Sequence, residues 1–453
     1  MDSCRARFLE LFRFRAPLVV VWAGGRARPA YRLDEFQPFT QCPHFQYLFG
    51  EQPADRIGAM RLNADKTASW CVFGKSCTAS QRIFDDCQEA KSLADFRAWC
   101  AGTTVFFPAG SFDAAQHAVD LVQIALRGVA HVRSCARHDV PKTLHRARTL
   151  KTPEEVERIR VACHVTAESI ARLQTLDLVG MRESQLKALF RYYCSETEGC
   201  HAMAFPPIAA GGGNTAILHY EDGDRVFQAG DLVLCDMGCR FQGYSADVTR
   251  TWFVGSATDQ PQPLSAWHVI NERVKDTFYQ MVAELKSPHK TWDDLTAFVH
   301  ARFLSLLRDV KILLTTTTPS QDQDARDDVV QIFFPHAIGH HLGIETHDRC
   351  DTSQAFFAPG MVVALEIGIY VSDATMIAAE AYAKKNPGVI DMARLRALGQ
   401  GGVRVEDNYL VTDKGSECLT GGQQDSILRG QDRVDNLAKH GARARDLVPV
   451  ATE

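Results

Sequence analysis

Residues 232–252 read LVLCDMGCRFQGYSADVTRTW, two apolar segments joined by a polar link that contains glycine. This pattern is typical of a β-hairpin. With the turn centred on Phe241 and Gln242, Asp236 and Asp247 would face each other across the two strands, with Cβ atoms roughly 4.5–5.5 Å apart. Like charges directly opposite each other destabilise a sheet. The hairpin therefore needs something that neutralises both carboxylates.

Other apolar stretches also contain ionisable residues. Glu366 lies within MVVALEIGIYV at 361–371, and a carboxylate in such a strand is costly to bury unless it is paired or binds a cation. The other such residues are His336, His340, His341 and His347 in FFPHAIGHHLGIETHD at 333–348, and Glu406 in GGVRVEDNYLVT at 401–412. Two divalent cations, held by four carboxylates and one imidazole, would account for the whole set.

The kinds of donor indicate the kind of metal. Carboxylate oxygens outnumber nitrogen and no thiolate is required, which favours Mn²⁺ or Co²⁺. Two such ions about 3.5–4 Å apart form a recurrent hydrolytic site. Cys235 and Cys239 lie four residues apart without a second pair, so they do not indicate a zinc site.

Each of these residues also has a simpler interpretation. A single Asp in a hairpin is usually solvated or part of a turn, a single buried Glu is often salt-bridged, and a histidine-rich loop is often polar surface. It is the combination of five, in the order Asp, Asp, His, Glu, Glu, that favours a metal site.

The chain resembles the pita-bread metallopeptidases, the group that contains prolidase, aminopeptidase P and methionine aminopeptidase. The resemblance rests on LVLCDMG, GYSADVTRTW, FPHAIGHHLGIETHD, GMVVALEIGIY and GGVRVEDNYLVT, and it extends over about 150–415. In addition, residues 25–50 resemble the N-terminal domain that prolidases and aminopeptidases P share. The resemblance implies an α/β (α+β) chain, with an N-terminal α/β creatinase-like domain before a pita-bread catalytic domain of two pseudo-two-fold halves.

The resemblance also implies a set of metal ligands. Asp236 and Asp247 would hold one metal, with Asp247 bridging to the second. His340 and Glu366 would hold the other metal, and Glu406 would bridge both.

Further residues match positions that the family uses in catalysis. His219 in NTAILHY matches a histidine near the substrate, and Arg404 matches an arginine beside the bridging Glu. His336 and His347 match cleft histidines that stabilise the tetrahedral intermediate and the leaving group. The implied reaction is hydrolysis of the peptide bond before proline by an activated water, with Glu366 receiving or relaying the proton.

Within the family, prolidase is the first choice, acting on Xaa-Pro dipeptides. Glu366 and Glu406 are 40 positions apart, and the stretch between them contains an insertion that resembles prolidase more than aminopeptidase P. Two departures are Ile367, where the family usually has Pro, and the absence of Arg shortly before Pro359-Gly360-Met361. The alternatives are an Xaa-Pro aminopeptidase acting on longer peptides and a non-catalytic protein-binding module of the same fold.

The length of 453 residues predicts more than one domain. We expect an N-terminal α/β domain at 1–150, a catalytic domain at 151–420 and a polar tail at 421–453. The boundary is predicted in the basic link 139–153, which ends in a helix start with Thr152 as N-cap. Further predictions are the helices 114–127, 153–174, 183–197, 265–286 and 292–309, and a surface loop at 315–328.

Composition limits the possible partners. The formal charge of −5, without a block dense in Lys or Arg, argues against nucleic acid. The apolar run at 18–22 is too short to span a membrane, and the 14 scattered cysteines suit a reducing compartment. We therefore expect a cytoplasmic protein that acts on proline-containing di- or oligopeptides, without nucleic-acid or membrane partners, and that forms a homodimer.

Overall fold

The computed structural model divides the chain into two compact units. The described residues before Pro153 form the first unit together with residues 349 and 350, and the remaining described residues from Pro153 onward form the second. The structure describes residues 2–12, 18–23, 42–50, 57–73, 93–101, 103–107, 129, 132–134, 139–255, 266–285, 290–314, 323–350 and 356–421.

The first unit is built on a mixed five-stranded sheet with the strand order β3-β2-β1-β4-β5. Strand β1 is antiparallel to β2 and parallel to β4. The elements are α1 (Asp2–Leu11), β1 (Leu18–Ala23), α2 (Pro43–Phe49), β2 (Ile57–Leu62), β3 (Ala68–Phe73), α3 (Leu93–Cys100), β4 (Thr104–Phe107), β5 (Val132–Ser134) and α4 (Asp139–Thr149). The predicted helix 114–127 and most of the segment 25–50 lie outside the described residues.

Helix α4 corrects the expectation that 139–153 is a polar link. Val140, Leu144 and Ala147 recur at helical spacing and are all buried, so the stretch has an apolar face despite its basic residues. The hydroxyl of Tyr47 on α2 donates a hydrogen bond to the carbonyl of Ala147, at 3.0 Å. The basic stretch therefore packs as a helix within the first unit.

The second unit contains two sheets covered by helices. One sheet has the order β10-β9-β6, and the larger one has the order β12-β13-β14-β11-β8-β7, with β15 paired to β14. Its helices are α5 (Pro153–Gln174), α6 (Glu183–Ser195), α7 (Ala266–Glu284), α8 (Trp292–Asp309), α9 (Gln323–Phe333), α10 (Asp373–Lys385) and α11 (Met392–Leu398). Its strands are β6 (Ala202–Met203), β7 (Ile208–Gly211), β8 (Leu232–Met237), β9 (Cys239–Phe241), β10 (Tyr244–Ser245), β11 (Val248–Phe253), β12 (Gly339–His341), β13 (Val362–Val371), β14 (Gly401–Thr412) and β15 (Gly415–Cys418).

The predicted long helices of this unit are present with small differences at their ends, and one predicted loop is partly wrong. Residues 323–328, expected in a surface loop, form the start of α9. This helix is anchored by the buried residues Val329, Val330 and Phe333, which follow directly after the polar stretch. Within the described residues, no helix combines the length and the apolar character needed to cross a bilayer.

The hairpin at 232–252 forms, but its register differs from the prediction. Asp236 pairs with Thr249 instead of Asp247. The turn is centred on Gln242 and Gly243, whose φ angles are 46° and 82°, because a tight hairpin turn of this kind needs positive φ at both central residues. The shift amounts to two residues, so Asp236 and Asp247 remain on the same face of the sheet.

At Gly238 the hairpin passes from one sheet to the other. Strand β8 belongs to the large sheet and β9 to the small one, and Gly238 is the residue between them. A Cβ at Gly238 would lie 1.9 Å from the carbonyl oxygen of Ala246. Only glycine therefore permits this close approach of the two backbones.

Candidate metal centre

The five predicted metal ligands lie on, or directly before, five neighbouring strands of the large sheet. The strand order β12-β13-β14-β11-β8 places them as His340, Glu366, Glu406, Asp247 and Asp236. Because side chains alternate along a strand, the register decides which of them share a face.

The register puts all five side chains on one face. Glu366 pairs with Glu406, Glu406 pairs with Thr249, and Thr249 pairs with Asp236. His340 pairs with Ala364, two residues before Glu366, and Asp247 lies two residues before Thr249. The structure thus brings together every predicted ligand.

Glu366 and Glu406 are the pair of carboxylates that lie directly opposite each other. Glu406 is almost fully buried, and its Oε2 accepts a hydrogen bond of 2.9 Å from the Thr249 hydroxyl. Burial and the neighbouring Glu406 raise the pKa of Glu366 to about 8, and burial together with Asp247 raises the pKa of Glu406 to about 8. This arrangement is costly for two anions in the absence of a cation.

The imidazole of His340 faces the carboxylates. Its Nε2 lies 3.4 Å from Asp247 Oδ2 and 3.6 Å from Glu406 Oε1. Burial lowers the pKa of His340, but these two carboxylates outweigh burial and raise it above its ordinary value. Burial and the charge of Asp236 raise the pKa of Asp247 to about 7.

The donor atoms form two overlapping groups that could each hold a metal ion. One group is Asp236, Asp247 and Glu406, the other is His340, Glu366 and Glu406, and within each group the donor atoms lie within 4.8 Å of one another. Four polar atoms of these residues are buried and make no hydrogen bond to any described residue. They are Asp236 Oδ1, Asp247 Oδ1, Glu406 Oε1 and His340 Nε2.

This donor set fits divalent cations. Lone pairs that are buried without hydrogen-bond partners are costly, and here they converge from several strands on one small space. Carboxylates with one imidazole are ligands that hard and borderline cations prefer.

Arg404 connects Asp236 to a tyrosine and a histidine. Its Nη2 donates to Asp236 Oδ2 at 2.9 Å, and its Nη1 donates to the Tyr370 hydroxyl at 2.9 Å. Tyr370 Oη lies 2.8 Å from His336 Nε2, while His336 Nδ1 lies 2.7 Å from the carbonyl oxygen of Ala337. Because a carbonyl can only accept, Nδ1 carries the proton, and the Tyr370 hydroxyl donates to Nε2.

The other predicted catalytic histidines surround the same face. Burial, with Arg404 nearby, lowers the pKa of His336 to about 3, so this ring is neutral. His347 is exposed, its ring centroid lies 4.2 Å from that of His340, and it belongs to a third donor group with Asp247 and His340. His219 is exposed, and its proximity contributes to lowering the pKa of both His336 and His347.

Sequence reasoning missed Tyr370, Thr249 and Asn408. The side-chain amide of Asn408 exchanges hydrogen bonds with the backbone of Asp247, at 3.0 and 2.6 Å. Tyr370 lies in an apolar strand and therefore looks like a core residue. Thr249 lies in a strand where threonine is common, so nothing in the sequence indicates a role in the site. Asn408, which follows Glu406 by two residues and so shares its strand face, could have been found from spacing alone.

Together, this fold and this donor set define a metallopeptidase with the pita-bread fold. The sequence model of metallopeptidase family M24 matches residues 157–413, and the chain belongs to this family.

Named relatives include Xaa-Pro aminopeptidases and Xaa-Pro dipeptidases. Human Xaa-Pro aminopeptidase 3 is 28% identical over 274 residues, which cover 60% of this chain and 48% of that protein. Human Xaa-Pro dipeptidase is 26% identical over 468 residues, which cover 92% of this chain and 89% of that protein. The chain therefore spans about half the length of the first relative and most of the length of the second.

Solved structures show the same fold. Aminopeptidase P from E. coli superposes with a TM-score of 0.76 at 21% identity, covering 96% of this chain and 98% of that one. Proline aminopeptidase P II from Yersinia pestis gives a TM-score of 0.75 at 21% identity, covering 97% and 99%.

Proposed function

We propose that this protein hydrolyses the peptide bond that precedes proline in Xaa-Pro dipeptides, using two divalent cations, Mn²⁺ or Co²⁺. The observation that carries the proposal is the set of four carboxylates and one imidazole on one face of five neighbouring strands. The similarity to human Xaa-Pro dipeptidase over 92% of the chain supports the choice of substrate.

In this proposal the two donor groups hold one cation each. Asp236 and Asp247 would hold the first cation, His340 and Glu366 would hold the second, and Asp247 and Glu406 would be shared between the two. The overlap of the two groups at Glu406 supports this assignment. When bound, the cations would lower the pKa of a water molecule and polarise the scissile carbonyl.

The remaining residues orient the ligands and handle protons. Arg404, held between Tyr370 and Asp236, fixes the direction of the Asp236 carboxylate. Glu366 receives the proton of the attacking water and passes it to the departing proline nitrogen. The Nδ1–H of His336 stabilises the developing oxyanion by exchanging the Ala337 carbonyl for the substrate oxygen.

His219 and His347 are both exposed, and we assign them to the substrate. His219 orients the peptide, and His347 donates a hydrogen bond towards the leaving group. Both assignments rest on the position of these rings around His340 and His336.

A second candidate is an Xaa-Pro aminopeptidase that accepts longer peptides. The observation that favours it is the stretch 350–360, CDTSQAFFAPG, which contains no Lys or Arg that could bind the carboxylate of a dipeptide. A non-catalytic binding module is disfavoured because all five donors are present.

Metal analysis combined with a peptidase assay tests the proposal. Protein purified without chelator should contain about two transition-metal ions per chain and should release free proline from an Xaa-Pro dipeptide. Fewer than about one ion per chain, or no cleavage at saturating Mn²⁺ and Co²⁺, would contradict it.

A further inference from the structure

The carboxylate of Glu183 is buried and accepts four hydrogen bonds. Glu183 is the first residue of α6 and has no exposed surface. Its Oε1 accepts from Gly211 N at 2.7 Å and from Asn214 Nδ2 at 3.1 Å. Its Oε2 accepts from the Tyr220 hydroxyl at 2.6 Å and from Arg225 N at 3.2 Å.

These four donors come from one segment, 211–225. Gly211 ends β7, and Arg225 begins the return of the chain towards β8, so the two ends of the segment meet at a single side chain. Asn214 and Tyr220 attach the middle of the segment to the same carboxylate. His219 lies directly before Tyr220, so the bond to Tyr220 also restrains the backbone of His219.

The backbone of α6 holds the returning part of the segment as well. Glu183 N donates to Arg225 O at 3.0 Å, and Ser184 N donates to Gly223 O at 2.9 Å. The segment thus leaves β7 and returns along the first turn of the helix. Between these anchors lies the stretch that carries Ile217 and His219, whose side chains are both exposed.

The far side of the segment touches the metal-binding face. The hydroxyl of Thr215 accepts a hydrogen bond of 2.8 Å from Gly402 N on β14. The carbonyl of Leu218 lies 3.5 Å from Nη2 of Arg404, the same nitrogen that binds Asp236. A displacement of this segment would therefore move His219 relative to the donor set.

A buried carboxylate is a costly way to close a loop. Its desolvation must be offset by strong hydrogen bonds, whereas an exposed first-turn Glu would serve a helix N-terminus equally well. Four bonds to one carboxylate restrain the segment at four of its residues.

We propose that Glu183 is a positioning residue that holds the segment 211–225, and with it His219, in the conformation that binds the peptide substrate. The inference rests on the proposed function for its kinetic consequence, but the restraint on the segment can be measured without activity.

The test compares Glu183→Gln with wild type by hydrogen exchange and kinetics. An amide oxygen can replace one carboxylate oxygen, but the –NH₂ group cannot accept from the other two donors, so backbone amides of 212–224 should exchange faster in the metal-free protein. In the metal-loaded protein, kcat/KM for an Xaa-Pro dipeptide should fall about 10- to 100-fold, chiefly through KM, with the metal content unchanged.

Two further variants complete the design. Tyr220→Phe removes one of the four bonds and should give the same pattern with a smaller loss of about 2- to 10-fold; it also replaces Glu183→Gln if that variant does not fold. Val299→Ala creates a cavity in the buried face of α8 and serves as the control for general destabilisation. It should leave KM and the exchange of 212–224 unchanged.

The outcomes separate the two proposals. Unchanged exchange of 212–224 in Glu183→Gln overturns the inference, and so does faster exchange with wild-type KM and kcat. Loss of bound metal in Glu183→Gln assigns the residue to folding of the site and also overturns it. If wild type cleaves no Xaa-Pro substrate, the proposed function fails, while the exchange experiment still decides whether Glu183 holds the segment.

Discussion

At the scale of single residues, the pairing of Glu366 with Glu406 shows what the site requires. Two carboxylates directly opposite each other in a buried sheet are unfavourable. Burial raises the pKa of both, with Glu406 adding to the effect on Glu366 and Asp247 adding to the effect on Glu406. From the hairpin pattern we predicted that Asp236 and Asp247 would be the directly opposed pair. Directly opposed carboxylates are present in the sheet, as the sequence predicted, but they are Glu366 and Glu406.

Replacing Glu406 should separate catalysis from stability. Glu406→Gln should lower hydrolysis of an Xaa-Pro dipeptide to less than about a tenth of wild type at saturating Mn²⁺, because an amide cannot bridge two cations. The metal-free variant should melt no lower than metal-free wild type, since the change removes a charge opposite Glu366 and keeps an oxygen for the Thr249 hydroxyl. Glu417→Gln on β15, an exposed residue, is the matched control and should retain activity.

The metal-free protein should lose stability as the pH rises from about 6.5 to 8. Folded Glu366 and Glu406 have pKa values of about 8, so the native state binds more protons than the unfolded chain, and stability falls with pH. Below about pH 6.5 the lowered pKa of His336 acts in the opposite direction, which is why the window begins there. Urea unfolding after chelation should show a loss of about 3 kcal/mol across this range, to which the two glutamates contribute equally.

Two comparisons check that this loss comes from the carboxylate cluster. Glu366→Gln should flatten the pH dependence of the metal-free protein. With saturating Mn²⁺ the dependence should reverse, because cations and protons compete for the same oxygens. A wild-type protein whose free energy of unfolding is constant between pH 6.5 and 8 after chelation would refute the interpretation.

At the scale of secondary-structure elements, the crossing of the hairpin at Gly238 determines how Asp236 and Asp247 are placed. Gly238→Ala should destabilise the protein by about 3 kcal/mol or more, because the new Cβ would collide with the backbone carbonyl of Ala246. Gly213→Ala is the control, since its Cβ would only contact the side chain of Gln400 at 3.4 Å. Midpoints of urea unfolding that are equal for the two variants would contradict the prediction.

The elements that could be predicted from sequence are those with strong local patterns. Helices α5 and α8 begin at the residues predicted for them, because apolar periodicity and capping signals coincide there. The hairpin register could not be predicted, because it depends on which residues accept positive φ in the turn. Helices α4 and α9 were missed because their polar residues outweigh the few apolar ones that they bury.

The same distinction holds within the candidate site. The five donors could be found because charges in apolar strands need an explanation. Tyr370 and Glu183 could not, since a tyrosine in a strand and an acidic residue in the first turn of a helix are both ordinary. The side-chain hydrogen bonds of Tyr370 join residues 34 positions apart, and those of Glu183 join residues 28 to 42 positions apart, which no local pattern reports.

At the scale of the whole molecule, selection by peptide length is the property that the family comparison leaves open. Because 350–360 contains no cation, an Xaa-Pro-Xaa tripeptide should be clearly cleaved. The preference for the matching dipeptide should be only about 10- to 150-fold or less, the worth of one charge-assisted hydrogen bond. Arg349, two residues after His347, is the nearest cation in sequence, and Arg349→Ala should reduce dipeptide cleavage selectively if it binds the carboxylate. A wild-type enzyme that does not cleave the tripeptide would contradict this prediction.

Other properties at this scale stay predictions from the sequence. They are the domain limits 1–150, 151–420 and 421–453, the cytoplasmic location and the homodimer. Residues 422–453 of the polar tail lie outside the described part of the chain. Size-exclusion chromatography with light scattering tests the homodimer directly, and a mass of one chain would contradict it.

The spread of the five donors over neighbouring strands also sets an order of events during synthesis. Asp236 and Glu406 are 170 residues apart in the chain (406 − 236), and a ribosome adds about 5–20 residues per second. For roughly 10–30 s the nascent chain therefore exposes the hairpin carboxylates before Glu406 exists. The complete donor set therefore forms only after Glu406 has been synthesised and β14 has paired with β11 and β13, so an ion that needs all five donors binds after the large sheet has closed.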